Sequence, residues 1–61
     1  MKDNYFVIYD FKDNLICYID NLEELSNFTN LRKKHLKYKL KNKKFIYYIF
    51  EDTYRKIYKF S

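Results

Sequence analysis

The chain has no glycine, no proline and no tryptophan, and one each of cysteine, methionine and histidine. Without glycine, every tight turn falls to Asn or Asp, the residues that best tolerate left-handed backbone after glycine. Six asparagines are available for that task. Cys17, alone in an apolar run, excludes an intrachain disulfide and points to a reduced, cytoplasmic setting. One histidine, one cysteine and scattered carboxylates supply neither a set of metal ligands at ligand spacing nor a nucleophile with an evident base. No catalytic residue, metal or cofactor is therefore expected, and the chain is read as a binding protein. Long apolar runs are missing too: nothing approaches the roughly 18 residues of a spanning helix, and the start of the chain is polar, unlike a secretory leader.

Aromatic residues and unevenly placed charge fill the composition instead. Fourteen of 61 residues are Tyr or Phe. Each can bury roughly 150–250 Å², more surface than one small interior can hide, so some tyrosines should lie at an interface. Tyr47, Tyr48, Tyr54 and Tyr58 are the candidates, with a homodimer as one use of them. Lys, Asn, Ile, Tyr and Phe make up 37 residues, a bias that an A/T-rich genome would produce. Codon bias does not explain where the charges fall. Through Thr29 there are two lysines and six acids, and after it eleven basic residues and two acids. Eight of the thirteen residues from Arg32 to Lys44 are Lys or Arg, the clustered footprint expected of a nucleic-acid-facing element.

Tyr5–Tyr9 and Leu15–Ile19 are aromatic and β-branched runs around the polar stretch Asp10–Asn14, which predicts a hairpin. Asn21 with Glu24 three residues later has the form of a capping box, and Glu23 and Glu24 suit the positive end of a helix dipole. A helix of about two turns should follow, burying Leu22, Leu25 and Phe28. Asn30 stands where a left-handed residue would end it, and Leu31 opens a second helix running to about Lys41. On that helix Leu36 and Leu40 point one way, while Lys33, Lys34, Lys37 and Lys41 fill a separate arc of about 100°. Phe45–Phe50 and Tyr54–Phe60 predict a second hairpin, with the lysine-bearing last strand expected at a sheet edge. The expectation is one α+β domain over residues 1–61, ordered ββααββ, with antiparallel hairpins packed on a helix-turn-helix-like pair.

Tyr5-Phe6-Val7-Ile8-Tyr9-Asp10, the turn Asp13-Asn14, the capped start Asn21-Leu22-Glu23-Glu24-Leu25, and Thr29-Asn30-Leu31 running on to Leu40 together carry a resemblance. The chain resembles the modular helix-turn-helix domains associated with intron-type homing endonucleases, over about residues 5–44. Thr29, where such units are often apolar, and Leu40, one residue late, depart from the pattern. The resemblance implies sequence-guided contact of the second helix with DNA, in preference to RNA; no nuclease domain accompanies it in this sequence, and a solitary copy could instead be a small phage or mobile-element protein that has kept the fold and changed its partner. Arg32, Lys33, Lys34 and Lys37 would meet phosphates or base edges, His35 and Tyr38 would assist, and Lys41, Lys43 and Lys44 would hold the flanking backbone. The alternative is a protein–protein inhibitor, anti-CRISPR-like, whose basic helix or aromatic sheet occupies a nucleic-acid-handling host enzyme. Membrane attachment ranks third, because the helix lacks the broad apolar face of an interfacial one.

Overall fold

The computed structural model describes residues 5–60. The polar start of the chain, residues 1–4, and residue 61 lie outside that span. Four strands and two helices follow the expected order: β1 Tyr5–Asp10, β2 Leu15–Ile19, α1 Leu22–Thr29, α2 Lys33–Leu40, β3 Phe45–Phe50 and β4 Thr53–Phe60. The strands form one antiparallel sheet in the order β2-β1-β4-β3, so the domain is a small α+β fold.

Local chemistry explains each boundary. The Asp10 carboxylate closes the first hairpin: Oδ1 accepts the backbone N–H groups of Lys12 and Asn14, both at 2.9 Å, as in an Asx turn. Asp13 takes positive φ in that turn. Asn21 caps α1, its Oδ1 accepting the Glu24 N–H at 2.8 Å. Asn30 ends α1 in the left-handed region at φ 64°, its N–H reaching the Ser26 carbonyl. Helix α2 begins at Lys33, two residues after Leu31, because Leu31 and Arg32 are spent on the turn. In the second hairpin a Glu, not an Asn or Asp, takes positive φ: Glu51 sits at φ 55°.

All of the deep core lies on one side of the sheet. Phe6, Ile8, Ile19, Ile46, Tyr48 and Ile57 meet Leu25, Leu36 and Leu40 from the helices, and Ile8, Leu25, Leu36 and Ile57 are wholly buried. At roughly 1.5–3 kcal/mol for each fully buried aliphatic side chain, these few residues dominate the stability of so short a chain.

Besides the start of α2 and the Glu51 turn, three expectations need correction. Phe28 is 44% exposed, while Thr29 is buried. Leu22, Leu25 and Thr29 fall on one stripe at i, i+3 and i+7, which leaves Phe28 on the flank beside the Arg55 guanidinium. Thr29 tolerates burial because its hydroxyl donates to the Leu25 carbonyl at 2.8 Å and accepts the Leu31 N–H at 3.3 Å. Strand β4, expected at an edge, lies inside the sheet between β1 and β3. Its cations are accommodated by snorkelling and pairing: Arg55 stacks 3.6 Å above the Phe50 ring and donates to the Tyr48 hydroxyl, and Lys56 pairs with Asp13. Tyr48, expected at an interface beside Tyr47, is 6% exposed and belongs to the core. Strand alternation turns Ile46 and Tyr48 to the helices and Phe45, Tyr47 and Ile49 away. Tyr54 and Tyr58, opposite Ile49 and Phe45 in the register, share that outer face.

Candidate nucleic-acid interface

Helix α2 is held down by Leu36 and Leu40, and everything else on it faces water. Arg32, Lys33, Lys34, His35, Lys37, Tyr38 and Lys39 are exposed, as are Lys41, Lys43 and Lys44 beyond its end. The expected quartet Lys33, Lys34, Lys37 and Lys41 thus projects from one short rigid rod. Among the described residues no carboxylate lies within ion-pair distance of any of them, the one salt bridge being Lys56 with Asp13.

The surface has two basic lobes. Lys34, Lys37 and Lys41 gather round Tyr38 in an open depression, joined there by Lys59 of β4. Lys39, Lys43 and Lys44 border Phe45, Ile46 and Tyr47 on the other flank. Lys59 was not among the candidates read from the sequence. Its signal lay in the alternation of β4, since Ile57 pointing to the core obliges Lys59 to face the helices as well.

The first turn of α2 runs against its own electrostatics. It has no acidic residue and no side-chain cap, and its N-cap position is Arg32. Cations at a helix N-terminus face the positive end of the dipole, at a cost of about 0.3–1 kcal/mol each. Helix α1, by contrast, has the cap and both acids where they stabilise it. One chain thus obeys the rule in one helix and breaks it in the next, and local violations of this kind concentrate where function competes with stability.

The described residues contain no group of three His, Cys, Asp or Glu side chains placed to hold a metal ion. Cys17 is half-buried on the helix side, and burial raises its pKa above the ordinary 9.0, the opposite of what a reactive thiolate needs. Among the described residues no helix is long and apolar enough to cross a membrane.

No protein-family description, curated protein or solved structure matches the chain.

Proposed function

We propose that this domain binds nucleic acid through α2, with duplex DNA as the preferred form, as a small phage or mobile-element protein working in the host cytosol. The observation that carries the proposal is the cluster of Lys34, Lys37, Lys41 and Lys59 round Tyr38, with no carboxylate paired to it among the described residues. Four cations within one depression repel one another, and a polyanion relieves that repulsion while releasing its own counterions. Tyr38, 78% exposed at the centre of the cluster, offers a hydroxyl to a phosphate or a ring to a sugar. The eight-residue helix is about 12 Å long, and the major groove of B-form DNA admits such a rod, whereas that of A-form RNA is too narrow and deep. Arg32 and Lys33, exposed at the N-terminal end of the helix, would meet base edges. Lys43 and Lys44 would follow the phosphate backbone past its C-terminal end.

The test is fluorescence anisotropy with mixed-sequence duplex DNA, single-stranded DNA and RNA at several salt concentrations. Duplex should bind tightest, and about four to five neutralised phosphates give a log–log salt slope of about −3.6 to −4.5. No binding by the folded protein at about 50 mM salt, where attraction to phosphate is strongest, would overturn the proposal. That result would favour the inhibitor alternative, in which the same basic helix occupies an acidic patch on a nucleic-acid-handling host enzyme.

A further inference from the structure

The helices cover only one face of the sheet. The other displays a nearly continuous aromatic and aliphatic layer that includes Tyr5 and Tyr9 of β1, Tyr18 of β2, Tyr47 and Ile49 of β3, and Phe60 of β4, as the strand register requires. None of these is buried; Ile49 is 78% exposed, Tyr18 59% and Tyr47 57%. Among the described residues the one charged side chain of the layer, Lys56, is paired with Asp13.

We propose that this face is the interface of a homodimer, in which two copies stack sheet on sheet as an eight-stranded sandwich. Three observations select a second copy as the occupant. The first is area. Taking roughly 200 Å² per large side chain, the exposed part of the face comes to about 600–700 Å² per copy. That is above the about 300–600 Å² of the largest apolar patch on an ordinary monomer and somewhat below the about 800 Å² that a standard stable interface takes from each partner.

The second is charge. The net charge of +5 is concentrated on and beyond α2, so two copies meeting through that surface would repel, whereas on the open face the Lys56 charge is cancelled by Asp13. A face without net charge can meet its own copy across a two-fold axis without repulsion.

The third is ring geometry. Tyr18, Tyr5 and Phe60 stack in series with centroids 5.1 and 5.2 Å apart, and Phe45 stacks on Tyr58 at 4.9 Å. Together with the edge-to-face pairs Tyr9–Tyr58, Phe45–Tyr47 and Tyr47–Tyr54, these contacts order the rings against one another before association, which suits packing against a second layer about 10 Å away. In the sandwich both helix pairs lie outermost and face away from each other, so one dimer presents two separate basic surfaces.

The experiment is sedimentation equilibrium from about 1 to 100 µM without nucleic acid, on the wild type, Ile49→Lys, Phe60→Lys and Tyr38→Ser. Circular dichroism establishes that each variant is folded. The expected result is twice the chain mass for wild type and for Tyr38→Ser, and association weakened at least tenfold, to a monomer over most of the range, for Ile49→Lys and Phe60→Lys. Phe60 lies on an interior strand, so its effect separates face packing from edge pairing of β3. A monomeric wild type at 100 µM, or a dimer untouched by Phe60→Lys, overturns the proposal. Because no nucleic acid enters the mass measurement, a monomer would contradict the sandwich while leaving the basic helix as it stands.

Discussion

The hydroxyl of Thr29 accepts the backbone N–H of Leu31, one residue beyond the left-handed Asn30, while donating to the Leu25 carbonyl. A second tie crosses the same turn, from the Ser26 hydroxyl to the Leu31 carbonyl. Together they fix where α1 stops and the direction in which α2 leaves, and so where the lysines point. Thr29→Val keeps the shape but removes the hydroxyl, leaving the Leu31 N–H unsatisfied. It should cost about 1–3 kcal/mol, read as a lower midpoint in urea denaturation with an unchanged slope; a midpoint equal to wild type would show that the turn is held by its apolar packing.

Asn30 and Glu51 meet the same backbone demand with unequal side chains. Asn is among the residues enriched in the left-handed region, and Glu is not. Glu51→Gly should therefore stabilise the domain by about 0.5–1 kcal/mol, whereas Asn30→Val should destabilise it by about 1–2 kcal/mol. Thermal unfolding of the two variants against wild type checks both signs.

The Asp10 carboxyl lies below its ordinary value of 3.8, chiefly through the backbone N–H of Asn14 and then that of Lys12, against an opposing desolvation. A depressed carboxyl favours the folded state while ionised. Its contribution is complete above the unfolded value and is lost as pH falls through the lower folded one. Acid titration of wild type should show that loss below about pH 4, and Asp10→Asn should abolish that part of the pH dependence. An identical acid profile in the variant would assign the loss to another carboxylate.

Much of the fold is written locally. The aromatic and β-branched runs marked the four strands, the Asn21–Glu24 cap marked α1, and Asn30 marked its end, because each signal is complete within a few residues. Sheet order is not local: β4 lies beside β1 through pairing across nearly the whole chain, from Tyr5 with Phe60 to Asp10 with Arg55, and the lysines of β4 suggested an edge because the groups that accommodate its cations, Asp13 and Phe50, lie on other elements. Phe28 and Thr29 exchanged roles for a related reason, since hydrophobicity ranks Phe first while the helix stripe selects position 29. The exposed lysines of α2 were legible from the placement of Leu36 and Leu40 one turn apart. For Lys59 alternation with Ile57 marked only the side of the sheet; that it meets the α2 lysines is set by the tertiary fold.

The mispoled start of α2 separates function from stability by sign. Lys33→Glu and Lys34→Glu place acids in a first turn that now has none, and each should stabilise the domain by about 0.3–1 kcal/mol. Binding to nucleic acid should weaken in the same variants. Variants that lose stability and binding together would mean that the lysines serve the fold.

The most direct measurement is the affinity of the Lys34→Glu, Lys37→Glu double variant for a mixed-sequence duplex, by anisotropy beside wild type at about 50 mM salt. With the fold intact by circular dichroism, affinity should fall by at least about tenfold, and the salt slope should flatten by about two, one for each phosphate no longer neutralised. Binding by the double variant at wild-type strength and slope would contradict the assignment of α2 as the nucleic-acid-binding element.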